Sequence, residues 1–199
     1  MIKKIFKGIL RRVFKTSVLK IHYLELEIDI NKTLQLLEGF DLSRVKELSY
    51  DDFLLGNKEQ FTLDKLAVLK DRFQSGEYKA YGIIEDGCLV YSAWLSLRTL
   101  GLPVNTNPIY LDDDEGYLED AYCDPKARGR GLHNYMNNYR VMKIYEMGRH
   151  KAIVTVLDGN VPALKTQKKS GFQDLGCFYC GKLFGKEFNT LNKEKHASR

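Results

Sequence analysis

The chain has 199 residues, 44% of them hydrophobic, which is enough to bury one substantial core and suggests a single domain with an N-terminal extension. Its 4 cysteines exclude a disulfide-dense scaffold and fit a reducing cytoplasm. Lys and Arg outnumber Asp and Glu by 31 to 26, a formal net charge of +5, and that excess is concentrated at one end of the chain.

Residues 1–20 hold Lys3, Lys4, Lys7, Arg11, Arg12, Lys15 and Lys20 with no acid, while Ile2, Ile5, Phe6, Ile9, Leu10, Val13 and Phe14 recur at helical spacing. This predicts a basic amphipathic helix over 1–17. It is too short and too charged to span a bilayer, and it lacks the apolar core and cleavage site of a secretory signal. Three roles stay open: peripheral contact with anionic lipid through residues 2–16, packing on the domain or on a homodimer partner, and a nucleic-acid arm. The last is the weakest, since the cations alternate with large aliphatics and no aromatic stacking platform accompanies them, so no nucleic-acid partner is expected.

Further along, residues 21–28 alternate like a strand, while 43–48 and 62–73 read as helices, the latter with Thr62 or Asp64 as cap. A hairpin over 78–85 and 88–97 turns at Asp86-Gly87. Residues 103–115 read as a loop whose acidic run, Asp112, Asp113, Asp114 and Glu115, is either a lure for a cationic amine or an ordinary solvated turn. Strands over 117–123, 152–157 and 176–183 and a helix over 132–147 follow, and 186–199 reads as a frayed tail. Cys177 and Cys180 have metal or redox spacing, but no second pair completes a zinc site, strand alternation explains them better, and no metal is expected.

The most informative stretch joins the 117–123 strand to the 132–147 helix: Ala121, Tyr122, Cys123, then Arg128, Gly129, Arg130, Gly131, Leu132 and His133. Glycines expose the backbone, the first helical turn has amide protons without internal partners, and the helix dipole adds positive charge, so the turn suits a phosphate. An ordinary surface turn with two arginines would read the same. A second segment follows the 152–157 strand and carries Asn160, Ala163, Gly171 and Phe172.

Taken together, these two segments resemble the GNAT superfamily of acyl-CoA N-acyltransferases, across roughly residues 78–184. Arg128, Gly129, Gly131 and Leu132 match the turn that clamps the coenzyme A diphosphate in that family. Asn160, Ala163, Gly171 and Phe172 match the element beside the pantetheine arm. The resemblance implies an α+β fold, a central mostly antiparallel sheet splayed at the acyl-CoA site and flanked by helices, over residues 18–185. It further implies acetyl-CoA, or another acyl-CoA, as co-substrate and direct acyl transfer to a primary amine of a small molecule in the cytoplasm or at the inner face of the membrane. Cofactor contacts are expected from Ala121, Tyr122, Cys123, Arg128, Gly129, Arg130, Gly131, Leu132, His133, Asn160 and Ala163.

An attacking amine must first lose a proton. Glu119 and Asp120 lie on the central strand, where alternation lets only one face the acceptor, and Glu119 resembles the acidic base of some members. Two positions depart from the pattern. His133 replaces the final small residue of the turn, and Gln167 replaces the Tyr that protonates the departing thiolate, leaving water, Tyr122 or Tyr179 for that task. These departures keep an alternative open, a non-catalytic module of this fold that binds acyl-CoA or a membrane surface.

Overall fold

The computed structural model describes residues 17–102 and 108–191, so the basic segment 1–16 lies outside the described residues. The chain divides into two compact units, one of Glu27–Thr99 with Leu111–Ala152, the other of the described parts of Met1–Leu26, Leu100–Tyr110 and Ile153–Arg199.

In the first unit a sheet runs in the order β7 (Glu115–Cys123), β4 (Cys88–Ser96), β3 (Tyr78–Glu85), β2 (Val45–Glu47), each pairing antiparallel. Glu85 faces Cys88 across the hairpin, and the intervening Asp86 and Gly87 have φ of 49° and 73°, the left-handed pair that a tight two-residue turn requires. Helices α1 (Ile30–Leu37) and α4 (Leu132–Glu146) cover one face, where Tyr81 meets Tyr139 and Phe40 stacks on Tyr135. The other face carries α2 (Tyr50–Phe53) and α3 (Leu63–Ser75), whose Phe53, Leu66 and Leu69 close on Ala80, Leu89 and Trp94. Helix α3 begins at Thr62, whose side chain accepts from Lys65 N, and ends at Gly76 with φ 69°.

One expected helix is absent. Asp41 caps a single 3₁₀ turn, Leu42–Arg44, and Val45–Glu47 then pairs with Tyr81, Gly82 and Ile83 as an edge strand. The pairing buries Val45, and Lys79 reaches Glu47 at 2.9 Å, so tertiary pairing overrides the local helical pattern of 43–48.

The second unit holds strands in the order β10 (Lys186–Asn189), β9 (Gln173–Leu183), β1 (Ser17–Glu27), β8 (Lys151–Leu157), with helix α5 (Val161–Lys169) preceding β9. Short strands β5 (Thr99–Leu100) and β6 (Ile109–Tyr110) pair separately. Strand β10 corrects the frayed tail over its first residues: Leu183 faces Lys186, and Phe184 and Gly185 between them have φ of 50° and 81°, a hairpin turn the sequence reading missed. Residues 192–199 lie outside the described residues. The fold class is as expected, mixed α and β with a mostly antiparallel sheet and flanking helices.

Candidate active site

A bulge in β7 organises the candidate site. Trp94 faces Glu119 and Ser92 faces Tyr122, so Ala93 alone stands opposite both Asp120 and Ala121. Asp120 takes φ 42°, a left-handed conformation uncommon outside glycine. The extra residue resets the alternation, and strict strand geometry therefore misjudges the two carboxylates. Arg72 of α3 reaches both: its Nη2 lies 3.4 Å from Glu119 Oε1 and its Nη1 donates to Asp120 Oδ2 at 3.1 Å. Lys65 Nζ donates to the other Asp120 oxygen at 3.3 Å. Asp120 is thus held between two cations.

Glu119 is different. It is 9% exposed, and its Oε1 accepts no hydrogen bond. Burial pushes its pKa up to about 7, with Asp120 adding to the rise and Arg72 and Arg140 opposing it. A carboxyl poised near neutrality, its Oε1 facing Arg72 without a hydrogen bond, has the character of a general base. Tyr122 shares the face of Glu119 but donates its phenol proton to Asp124 Oδ2 at 3.0 Å, and burial together with Asp124 pushes its pKa up to about 12. A proton held so firmly is poorly suited to a departing thiolate.

Behind the bulge lies a charge the sequence reading did not single out. Arg140 of α4, 2% exposed, donates through Nη1 to the carbonyls of Trp94 at 2.8 Å and Glu119 at 3.2 Å, and through Nη2 to Asn137 Oδ1 at 2.5 Å. The guanidinium gathers carbonyls where the ladder is interrupted.

The turn after β7 builds the second part. Asp124 accepts from Lys126 N at 2.9 Å and starts a 3₁₀ turn, Pro125–Ala127; Gly129 and Gly131 then take φ of 78° and 74°. Helix α4 follows with no side-chain cap, and Leu132 anchors it in the core. The first intrahelical acceptor is the Gly131 carbonyl, which receives Asn134 N and Tyr135 N. Among the described residues, the backbone N–H groups of Gly129, Arg130, Gly131, Leu132 and His133 therefore have no acceptor. Left-handed glycines flank Arg130, the backbone alternation from which anion nests are built, at the positive end of a 15-residue helix. No heavy atom lies within 4 Å of a Cβ built at Gly129, so this glycine serves conformation and an open face rather than tight packing.

The two arginines of the turn part ways. Arg130 makes a bidentate pair with Glu85 at 2.7 and 2.8 Å, and Arg44 joins the same carboxylate, whose pKa Arg130 foremost draws down to about 2 against the effect of burial. Exposed Arg128 has one long hydrogen bond, from Nε to the Cys123 carbonyl at 3.4 Å. His133 does not obstruct the amides with its ring. Its Nδ1 lies 2.9 Å from Tyr91 Oη and its Nε2 3.5 Å from Asn137 Nδ2. Because Arg140 occupies Asn137 Oδ1, the amide nitrogen faces the ring and donates to Nε2, leaving the ring proton on Nδ1 toward Tyr91. Burial and then Arg140 draw the His133 pKa down, as a neutral ring requires.

In the second unit Asn160 caps α5, its Oδ1 accepting from Ala163 N at 3.3 Å. Gln167 is buried and its Oε1 has no hydrogen-bond partner, so it does not stand in for a solvent-facing tyrosine. Cys177 and Cys180 point to opposite faces of β9, the former half-buried and the latter fully buried. Among the described residues no His, Cys, Asp and Glu cluster is arranged to hold a metal, and no helix is long and apolar enough to cross a membrane. The acidic run closes on its own surroundings: Asp112 N donates to Glu115 Oε2 at 2.8 Å, and Asp114 accepts from His150 Nδ1 at 2.7 Å.

No family model and no curated protein matches the chain. Solved structures do. A GNAT-family protein of Novosphingobium aromaticivorans superposes with a TM-score of 0.58 at 14% identity, over 82% of this chain and 63% of that one. A conserved Staphylococcus epidermidis protein of unknown function gives 0.56 at 11% identity over 88% and 65%, and a Drosophila protein 0.54 at 18% over 92% and 57%. The chain spans less than two thirds of the length of each. At these identities the likeness is one of fold, and the fold is that of the GNAT acetyltransferases.

Proposed function

We propose that this protein is an acyl-CoA-dependent N-acyltransferase, with acetyl-CoA as its donor and a primary amine of a small molecule as its acceptor, acting in the cytoplasm. The observation that carries the reading is the run of unpartnered amides at Gly129, Arg130, Gly131, Leu132 and His133, set between left-handed glycines at the start of α4. A diphosphate would satisfy these donors, with Arg128 adding charge. Bound acyl-CoA supplies the activated acyl group. Backbone at Ala121, Tyr122 and Cys123 would line the thioester. The Glu119 carboxyl would accept the proton of the incoming amine, directly or through a water. The protein's remaining contribution is positioning and exclusion of water.

The test is release of free thiol from acetyl-CoA over a panel of primary amines. The reading expects amine-dependent turnover that falls about a hundredfold or more in Glu119→Gln with binding retained. A second reading, a module that binds acyl-CoA without turnover, is favoured by buried Gln167 and by the proton that Tyr122 gives to Asp124. It expects binding with no thiol release by any amine. Membrane contact or dimerisation through residues 2–16 is a separate proposal, checked by vesicle sedimentation of the full chain against one starting at Val18.

A further inference from the structure

One end of the sheet in the second unit turns apolar side chains outward. In the β1–β9 pair the buried face is made by Ile21, Tyr23, Phe178 and Cys180, so alternation sends Val18, Tyr179 and Leu183 to the other face, where they are 47%, 46% and 43% exposed. Past Leu183 the turn into β10 carries Phe184 at the tip of the hairpin, 66% exposed. A ring so exposed adds little to the core.

Lysines bracket this tip. Lys182 precedes it with Glu187 at 3.9 Å, and exposed Lys186 follows it, paired across the turn with Leu183. The chain enters the fold at the same end, since Ser17 faces Lys182, and residues 1–16 bring Lys3, Lys4, Lys7, Arg11, Arg12 and Lys15 there with no acid among them. Apolar side chains set among cations match a surface that offers acyl chains and phosphates together.

We propose that the β9–β10 hairpin tip is an insertion site for an anionic lipid surface, with Leu183 and Phe184 entering the boundary between headgroups and acyl chains and Lys182 and Lys186 meeting the lipid phosphates. Lysine fits this place because its aliphatic stem lies along apolar surface while its ammonium stays among the headgroups. Val18 and Tyr179 extend the apolar contact along the sheet, the tyrosine keeping its hydroxyl at the polar boundary. The inference deepens the membrane contact proposed for residues 2–16 by giving it a folded counterpart in the same unit. It is independent of the amide run after β7.

The test is sedimentation of the full chain with vesicles of phosphatidylcholine alone and of phosphatidylcholine with phosphatidylglycerol in equal parts. The proposal expects binding to the mixed vesicles only, weakened at least about tenfold in the double variant Leu183→Ser with Phe184→Ser and also weakened in Lys182→Gln with Lys186→Gln, each with an unchanged thermal melt. Depth is read by Phe184→Trp on mixed vesicles with brominated acyl chains. Its fluorescence should be quenched, while wild type, whose one tryptophan, Trp94, is 1% exposed, should not respond. Unchanged binding in the serine double variant would overturn the proposal and leave contact through residues 2–16 alone, and an unquenched Phe184→Trp on bound protein would overturn it as well. Equal binding to both vesicles, or no vesicle binding with a dimer that the serine double variant abolishes, would also overturn it, the latter assigning the patch to a second copy of the chain. Thiol release over the amine panel is measured without vesicles, so none of these results decides the N-acyltransferase reading.

Discussion

Arg140 and Glu119 meet through the main chain: the guanidinium donates to the Glu119 carbonyl at 3.2 Å and to the carbonyl of its cross-strand partner, Trp94, at 2.8 Å. A buried cation thus holds the backbone of the bulge while the Glu119 carboxyl pairs with Arg72 on the opposite face of the sheet.

Replacing Arg140 with Met would strand those two carbonyls and Asn137 Oδ1. A loss of about 3 kcal/mol in unfolding free energy is expected, read from urea titrations. The same variant should move the Glu119 pKa further up, since Arg140 opposes its rise.

Glu119 makes stability depend on pH with a definite sign. Its folded pKa of about 7 stands above the 4.5 of an ordinary glutamate, so the folded protein binds the proton more tightly than the unfolded chain. The resulting stabilisation is complete below about 4.5 and is lost as pH rises through 7, a total of about 3 kcal/mol. Glu119→Gln removes this dependence. Thermal melts of the two proteins at pH 5 and pH 8 should therefore show wild type losing stability relative to the variant at the higher pH. In the same window, wild-type turnover should rise as the carboxylate forms.

The arginines of the turn should separate in binding. Arg128→Ala is expected to weaken acetyl-CoA about tenfold at low salt, because its guanidinium has one long hydrogen bond to give up. Arg130→Ala should change affinity by less than about threefold, its charge already being matched by Glu85. Glu85→Gln should tighten binding by releasing Arg130 and Arg44, a gain that isothermal titration would register.

Most elements were legible because their signals are local. Asp86-Gly87 announces its hairpin, Thr62 its helix, and the glycines at 129 and 131 the left-handed turn before α4. The missing information is of longer range. Strand β2 depends on pairing with Tyr81, Gly82 and Ile83, and nothing within 43–48 encodes that partner. Arg140 reads in sequence as a polar residue on a helix, and its role exists only because the β7 bulge leaves carbonyls in its reach. Glu85 lies far along the chain from Arg130, so the neutralisation of one arginine could not be read from the turn itself. The Asp120 bulge likewise defeats a rule of alternating faces that holds for the rest of the strand.

The account rests on the amides of residues 129–133 taking a diphosphate, and calorimetric titration of acetyl-CoA into wild type and Gly129→Val tests it most directly. At φ 78° with open space around it, a side chain at Gly129 meets backbone strain of about 1–2 kcal/mol rather than a clash, so the variant should fold. The account predicts saturable heat with wild type and an affinity at least about tenfold weaker in the folded variant. Equal affinity in the two proteins, or no heat with wild type, would contradict it.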